Sequence, residues 1–397
     1  MDISTVCVHG CEKKYDATGA VSVPIFASST FAHPGVGQST GFDYSRSQNP
    51  TKEHLEHTVT ALEGGAETIA FSTGMAAVSA LMELFSPGDH IVVSYDLYGG
   101  TFRLFSHISE KNGVTFSYAA NLQEISEKIT PATKAIFIET PTNPMMNVVD
   151  IAAVAQIKLS ARIKQNAQNN SSKILLIIDN TFLTPIFQRP LSMGADIVLH
   201  SGTKYLGGHN DALAGLLTVK EKDLAERLRF ISKTTGGFLS PFDSFLIIRG
   251  IKTLAIRMER HNKTALVVAQ WLARGASPQE TQQKKIEKVY YIGLQDHPDY
   301  EISCRQASGF GGMISFTVND EQTAVSILEN VKLIKYAESL GGTESLITYP
   351  LLQTHADLPQ EEREARGING CLLRLSVGLE AADDIIQDLK QAIDGSK

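Results

Sequence analysis

The segment with the clearest chemistry spans residues 201–210, Ser-Gly-Thr-Lys-Tyr-Leu-Gly-Gly-His-Asn, directly after the apolar run 197–199. That run predicts a buried strand, and open α/β sheets bind their ligands beyond the carboxyl ends of the strands. The hydroxyl groups of Ser201 and Thr203 can donate to an anion, and the amine of Lys204 can form a Schiff base with an aldehyde. These groups suit pyridoxal phosphate, a cofactor that carries both an aldehyde and a phosphate.

A carboxylate at the end of a second apolar run adds to this hypothesis. Asp179 follows residues 174–178, and a carboxylate there can pair with a protonated pyridine nitrogen and keep the ring an electron sink. Taken singly, both Lys204 and Asp179 have plainer explanations, because a lysine after a strand is usually a surface residue and an aspartate often caps a helix. The hypothesis therefore depends on the rest of the chain.

Eight motifs, in order along the chain, resemble the Cys/Met-metabolism family of pyridoxal-phosphate enzymes, which comprises the trans-sulfuration enzymes. They are residues 43–51 (Asp-Tyr-Ser-Arg-Ser-Gln-Asn-Pro-Thr), 72–77 (Ser-Thr-Gly-Met-Ala-Ala), 96–101 (Asp-Leu-Tyr-Gly-Gly-Thr), 139–144 (Glu-Thr-Pro-Thr-Asn-Pro), 179–181 (Asp-Asn-Thr), 201–205 (Ser-Gly-Thr-Lys-Tyr), 337–342 (Ala-Glu-Ser-Leu-Gly-Gly) and 373–378 (Leu-Arg-Leu-Ser-Val-Gly). The resemblance covers nearly the whole chain.

The elements that must position these residues follow from the hydrophobic pattern. Continuous apolar runs at 68–71, 90–94, 114–118, 134–138, 174–178, 197–199 and 216–219 alternate with helical segments, which predicts a doubly wound α/β sheet. The resemblance implies fold type I, the aspartate-aminotransferase type, with a seven-stranded, mostly parallel sheet and a smaller α+β C-terminal domain. We expect an N-terminal arm at 1–48, a cofactor domain at 49–250 and the C-terminal domain at 251–397.

Three further segments supply candidate cofactor contacts. Residues 73–75 (Thr-Gly-Met) open a predicted helix, where free N–H groups bind phosphate, although a plain strand–helix turn looks the same. The resemblance implies that the N–H groups of Gly74 and Met75 hold the phosphate and that Tyr98 stacks on the ring and assists proton transfer. Tyr44 and Arg46 lie outside the predicted sheet. The resemblance implies that they reach the phosphate of a neighbouring subunit in a homotetramer built from two dimers.

The candidate substrate contacts lie mostly in the C-terminal third. Arg374 sits in an apolar, strand-like run and needs an anionic partner, either an internal carboxylate or, as the resemblance implies, the substrate α-carboxylate. Ser339 and Asn143 match family positions in the same pocket. A carboxylate at Glu338 can hold the distal ammonium of cystathionine or of incoming cysteine. The role of His355 stays open.

Composition excludes other classes of function. The chain of 397 residues has a formal charge of −7, which argues against a nucleic-acid partner. Its four cysteines are too few for a disulfide framework, and Cys7, His9 and Cys11 lack a second ligand pair, so we expect no metal site. No signal peptide or membrane-spanning segment is recognisable, so we expect a cytoplasmic protein that acts on small amino acids.

The resemblance implies an enzyme that acts at the γ-carbon, with cystathionine γ-synthase as the first hypothesis and γ-lyase as the second. β-Lyase and O-acetylhomoserine sulfhydrylase are further alternatives. Methionine γ-lyases typically have a cysteine where this chain has Gly100, and β-lyases tend to lack an acidic residue at the position of Glu338. A non-catalytic binding protein on the same fold is the alternative from another class, although the presence of Lys204, Asp179 and Arg374 speaks against it.

Overall fold

The computed structural model describes residues 1–10, 18–167, 173–275, 285–356 and 358–395. The helices within these ranges are α1 (Ile3–His9), α2 (Pro50–Glu63), α3 (Gly74–Met82), α4 (Gly99–Leu104), α5 (Leu122–Glu127), α6 (Ile151–Ala167), α7 (Thr184–Phe187), α8 (Lys222–Thr235), α9 (Pro241–Ile251), α10 (Leu254–Gly275), α11 (Tyr300–Gln306), α12 (Glu321–Asn330), α13 (Gln360–Ala365) and α14 (Ala382–Gly395). Among these described residues, no helix combines the length and apolar character needed to cross a bilayer.

The strands form two sheets within the same ranges. They are β1 (Glu67–Phe71), β2 (His90–Ser94), β3 (Thr115–Ala119), β4 (Thr133–Glu139), β5 (Leu175–Asp179), β6 (Ile197–Ser201), β7 (Gly215–Val219), β8 (Ile286–Tyr290), β9 (Met313–Val318), β10 (Lys335–Tyr336), β11 (Leu346–Thr348) and β12 (Leu372–Ser376).

The larger sheet has seven strands in the order β1-β7-β6-β5-β4-β2-β3. Only β7 runs antiparallel to its neighbours, and the other pairs are parallel. Every residue of β2 and β7 is buried, because helices cover both faces of the sheet. The predicted seven-stranded, mostly parallel sheet is therefore confirmed, and each predicted strand lies within one or two residues of the observed one.

The register brings chemically active residues together at one edge of this sheet. Glu139, the last residue of β4, pairs with Asp179, the last residue of β5, and Asp179 pairs with Leu199 of β6. Ser201 ends β6, and Lys204 follows three residues later. Since these parallel strands end at the same edge, their polar termini share one crevice.

The smaller sheet has five strands in the order β10-β11-β12-β9-β8. Its central strand β12 carries Arg374, which lies between Thr348 of β11 and Ser315 of β9. Helix α10 links the two domains, since Leu254 and Met258 pack in the core of the large domain whereas Leu272 packs in that of the small one. The proposed boundary at 250 falls just before this helix and remains a prediction.

The segment expected to be an N-terminal arm begins with a short helix, and its bounds at 1–48 stay a prediction. Residues 3–9 form helix α1, which begins where the Asp2 side chain accepts a hydrogen bond from the Ser4 N–H. Cys7 of this helix is buried in the core of the large domain. Residues 18–49 have little regular structure, apart from a bridge between Thr30 and Tyr44. Cys11 lies outside the described residues.

Candidate active site

A cavity of about 220 Å³ lies at the carboxyl ends of β4, β5 and β6 and is closed on one side by the small domain. It contains the predicted site residues of both domains, with the exception of Tyr44 and Arg46. Its lining comprises Thr73, Gly74, Met75, Val78, Tyr98, Thr101, Glu139, Pro141, Asn143, Asp179, Thr181, Phe182, Leu199, Ser201, Thr203, Lys204, Leu213, Glu338, Ser339, Leu340, Thr354 and Arg374.

The amine of Lys204 projects into this cavity from the turn after β6. Its Nζ donates to the Ser339 hydroxyl at 2.9 Å, so a residue of the small domain orients it. Burial lowers the pKa of Lys204 to about 8, with a further contribution from Arg374 and an opposing one from Glu338. A lysine with such a pKa has a sizeable neutral fraction near neutral pH, which covalent chemistry and proton abstraction both require.

The carboxylate of Asp179 is held by the residues next to it. Its Oδ1 accepts hydrogen bonds from the backbone N–H of Thr181 at 3.0 Å and from the Thr181 hydroxyl at 2.6 Å. The same hydroxyl accepts the N–H of Ser201 at 2.9 Å, which ties the end of β6 to the carboxylate. Burial raises the pKa of Asp179, whereas the Thr181 hydrogen bonds and the nearby His200 act against this shift. Such a carboxylate is oriented to bind a protonated ring nitrogen.

Helix α3 begins at the cavity wall, beside Ser201. Its cap is Thr73, whose hydroxyl accepts the N–H of Ala76, so the N–H groups of Gly74 and Met75 remain for a ligand at the helix start. A Cβ on Gly74 would lie 3.2 Å from the Ser201 Cβ and Oγ, in the space between helix and strand. The Thr203 hydroxyl accepts the N–H of Ala214 at 3.0 Å. An amine, a carboxylate and this phosphate-sized cradle around one cavity fit pyridoxal phosphate.

Tyr98 stands at the start of α4, and its ring lines the same cavity. Two glycines after it allow close contacts. A Cβ on Gly99 would lie 2.3 Å from the Thr354 carbonyl oxygen, and a Cβ on Gly100 would lie 2.5 Å from the Tyr98 ring and 3.1 Å from the Met75 sulfur. A side chain at position 100 would therefore displace either Tyr98 or Met75.

Arg374 is buried and fixed by neutral oxygen atoms. Its Nη1 donates to the Asn143 side-chain oxygen at 2.9 Å, and its Nη2 donates to the Ser339 carbonyl at 3.0 Å and to the Thr348 hydroxyl at 3.1 Å. None of the ion pairs within the described ranges involves Arg374, although the nearby carboxylates of Glu338 and Glu139 act to raise its pKa. The choice between an internal carboxylate and the substrate α-carboxylate therefore stays a prediction. The Arg374 Nε has no hydrogen-bond partner in those ranges, and burial lowers the pKa of Arg374 to about 10. A buried guanidinium whose hydrogen bonds go to neutral oxygen atoms suits an incoming carboxylate.

Glu338 lies at the mouth of the cavity. Its side chain is exposed in the single chain and lines both the inner cavity and a wider outer cleft. The outer cleft also contains the acidic residues Asp211, Asp243 and Glu344 and the basic residue Lys335. A cationic group that extends outward from the inner cavity would therefore meet an excess of negative charge.

Tyr44 and Arg46 do not reach this cavity within the single chain. The Arg46 guanidinium lies 5.6 Å from the centre of the Tyr44 ring and donates to the Lys233 carbonyl at 2.7 Å. The Tyr44 side chain is 48% exposed. Their assignment to the site of a neighbouring subunit stays a prediction.

The structure brings in residues that the sequence reasoning did not single out. Thr181 and Glu139 lie within quoted motifs, so the signal was present, but hydrogen-bond roles inside a motif are not visible in its letters. Thr354 also lines the cavity. His355, whose role was open, is buried, with Nε2 at 3.2 Å from the Asn143 carbonyl and Nδ1 at 2.8 Å from the Thr354 hydroxyl. Burial lowers the pKa of His355 to about 3, so the ring is neutral. Its contact with the Asn143 carbonyl helps to hold Asn143 in place.

Comparison with known proteins agrees with this geometry. The model of the Cys/Met metabolism PLP-dependent enzyme family matches residues 4–394. A cystathionine γ-synthase of Haemophilus influenzae is 46% identical over 393 residues (98% of this chain, 97% of the relative). A cystathionine β-lyase of Lactococcus lactis subsp. cremoris is 45% identical over 394 residues (99% of both chains).

Among solved structures, cystathionine γ-lyase from Lactobacillus plantarum complexed with L-serine superimposes with a TM-score of 0.91 at 41% identity, covering 100% of this chain and 99% of that one. These relatives carry three different reaction names at similar identity, so identity alone does not choose the reaction. The likeness extends over the whole described fold. The chain belongs to the Cys/Met-metabolism family of pyridoxal-phosphate-dependent enzymes, whose members here are named for reactions of cystathionine.

Proposed function

We propose that the chain acts at the γ-carbon of its amino-acid substrate, as a cystathionine γ-synthase that joins an O-acylhomoserine to cysteine. The observation that carries this proposal is the placement of Glu338 next to Ser339. The Ser339 hydroxyl accepts a hydrogen bond from Lys204, and the Ser339 carbonyl accepts one from Arg374. Glu338 is the adjacent residue, so it lies next to the groups that are proposed to react with and bind the substrate. A substrate whose α-carboxylate binds Arg374 would direct a distal amino group toward Glu338.

The proposed roles follow from the positions of the side chains. Bound pyridoxal phosphate supplies the electron sink that acidifies the substrate C–H bonds. Lys204 binds the cofactor and then moves protons, and its flexible stem lets one amine serve both the α- and the β-carbon, as γ-chemistry requires. Asp179 would hold the ring nitrogen, and Tyr98 would stack on the ring. The N–H groups of Gly74 and Met75, together with Ser201 and Thr203, would hold the phosphate. Asn143 keeps Arg374 in place for the carboxylate.

Cystathionine γ-lyase is the second candidate, because the same contacts would hold cystathionine as a substrate. The likeness to the Lactobacillus plantarum γ-lyase supports it. β-Lyase and O-acetylhomoserine sulfhydrylase activities rank lower. The crowding around Gly100 argues against a cysteine there, and hence against a methionine γ-lyase. The convergence of Lys204, Asp179 and Arg374 on one cavity argues against a non-catalytic binding protein.

We further propose that the working unit is a homotetramer of two dimers with shared sites. The exposed Tyr44 ring and Arg46 stand on a loop that is held firmly in place. Asn49 donates to the Phe26 carbonyl at 2.8 Å and to the Ser45 hydroxyl at 3.0 Å. Such a braced loop is suited to present both side chains to another subunit.

The proposal is tested by a product assay on the purified holoenzyme. One arm offers O-acetyl- or O-succinylhomoserine with cysteine, and the other offers cystathionine alone. Formation of cystathionine with higher kcat/KM than its cleavage supports the synthase. Faster release of 2-oxobutyrate and cysteine from cystathionine assigns the γ-lyase instead, and pyruvate with homocysteine assigns the β-lyase and overturns γ-carbon chemistry.

A further inference from the structure

We propose that Glu139 is a positioning residue that fixes the ring-stacking Tyr98 and the carboxylate-binding Arg374 relative to each other. Glu139 is the last residue of β4 and lies in the wall of the cavity. The proposal rests on the proposed roles of Tyr98 and Arg374, but it does not depend on which reaction the enzyme catalyses.

The geometry is a bridge between two loops. The Glu139 Oε2 accepts the backbone N–H of Tyr98 at 2.9 Å, and its Oε1 accepts the backbone N–H of Asn143 at 2.9 Å. The Asn143 side chain in turn accepts from Arg374 at 2.9 Å. One carboxyl group therefore connects the start of α4 on one side with the substrate arginine on the other.

The position is an unfavourable one for a carboxyl group. Glu139 is buried, and it pairs in register with Asp179 at the end of the adjacent strand. Burial and the nearby Asp179 and Asp96 raise the pKa of Glu139, whereas the two N–H hydrogen bonds act in the opposite direction. A buried carboxyl beside other carboxyls is destabilising unless it is well hydrogen-bonded, and both of its bonds end on residues of the proposed site.

A glutamate suits this bridge better than other side chains. Both of its oxygens can accept, so it satisfies two backbone donors at once. A glutamine has one accepting oxygen and would present its NH₂ group to the other backbone N–H. An aspartate keeps both carboxyl oxygens, but it is one methylene shorter and cannot span the same gap.

The test uses Glu139→Gln and Glu139→Asp, compared with Glu338→Gln as the matched control. Tyr98 is proposed to contact the cofactor ring and Arg374 the α-carboxylate, and both groups take part whichever amino-acid substrate is bound. Both Glu139 variants should therefore lower kcat/KM by about 10- to 100-fold, the range expected for a lost hydrogen bond to a charged group, with cystathionine and with the short substrate β-chloroalanine alike. The Glu338 variant should affect cystathionine selectively.

Two further measurements separate positioning from a general structural role. The affinity for L-alanine, read from the cofactor absorbance, reports the carboxylate site without turnover, and it should fall in Glu139→Gln even when that variant is folded and saturated with pyridoxal phosphate. In a double-mutant cycle with Asn143→Ala, the two losses should be less than additive, because both act on Arg374.

Additive losses in the cycle, or unchanged L-alanine affinity in Glu139→Gln, would overturn the proposal. Loss of folding in both Glu139 variants would make the residue structural and would overturn it too. Arg374→Lys separates this proposal from the one on which it rests. If Arg374→Lys leaves L-alanine binding unchanged, the assignment of the carboxylate site fails, whereas weakened binding in Arg374→Lys but not in Glu139→Gln refutes only the role of Glu139.

Discussion

Glu338 offers the sharpest test of whether the site binds a second, distal amino group. We expect Glu338→Gln to impair reactions in which a second amino group extends from the substrate, namely cystathionine cleavage and cystathionine formation from cysteine. β-Elimination from a short amino acid such as β-chloroalanine should be much less affected. The reason is that Glu338 lies at the mouth of the cavity, one residue from the Ser339 contacts to Lys204 and Arg374.

The size of the effect depends on how much water surrounds this carboxylate. In the single chain Glu338 is exposed, and exposed ion pairs contribute only about 0.2–1 kcal/mol, or less than roughly 5-fold in rate. If bound substrate and a neighbouring subunit exclude water, a charge-assisted contact contributes about 1.5–3 kcal/mol, or roughly 10- to 150-fold. Because we propose a shared site, we expect the larger range for cystathionine and the smaller one for β-chloroalanine.

Steady-state assays of the holoenzyme with both substrates measure this difference directly. Glu344→Gln is the matched control, because Glu344 lines the same outer cleft but accepts from Asn210 at 2.9 Å. Glu344→Gln should change kcat/KM for cystathionine only a few-fold, because it removes one surface charge from the cleft without removing a contact to the substrate. Equal losses for both substrates in Glu338→Gln would make Glu338 a structural carboxylate and remove the main support for γ-carbon chemistry on cystathionine.

Three further predictions concern the cofactor and the braces around it. Lys204→Ala should abolish turnover and the borohydride-reducible link to the cofactor. In the wild-type apoenzyme the rate of cofactor capture should rise with pH through about 8, because only the neutral amine of Lys204 reacts. A rise centred near the pKa of free lysine would contradict this. Arg46→Ala should weaken retention of pyridoxal phosphate, and mixing it with Lys204→Ala should restore activity in hybrid dimers, whereas a fully active monomer would rule out the shared site. His355→Ala should lower the free energy of unfolding by roughly 1–3 kcal/mol, since the Asn143 carbonyl loses a buried donor. His355→Gln should restore part of this lost stability, as measured by thermal unfolding. Equal stability of both variants would show that this hydrogen bond contributes nothing.

The sequence predicted the large sheet well because its signal is local. Strands such as β2 and β7 are buried along their whole length, so each appears in the sequence as an unbroken apolar run. The fold type and the cofactor are confirmed by the family match. Helix α1 was missed, because a seven-residue helix in which only Cys7 is buried has too few buried apolar positions to show a helical period, and only Asp2 as a cap hinted at it.

The site residues were recognised through motifs, whereas the contacts between motifs were not. Asn143 and Arg374 are far apart in sequence, and only the packing of the small domain against the sheet brings them to 2.9 Å. The same holds for Lys204 and Ser339. A motif identifies which side chains are present, but hydrogen bonds that cross two domains depend on tertiary structure that no local pattern encodes.

The difference between local motifs and contacts across domains explains why the sequence predicts the fold better than it predicts the reaction. The inner cavity, with Lys204, Asp179 and Arg374, holds groups that every reaction of this family would need, so it cannot separate synthase from lyase. Discrimination has to come from the outer cleft, where Glu338 is exposed in the single chain. The preference between γ-replacement and γ-elimination is then a property of the outer cleft. A substitution confined to the outer cleft should therefore change the product ratio before it changes cofactor binding to Lys204.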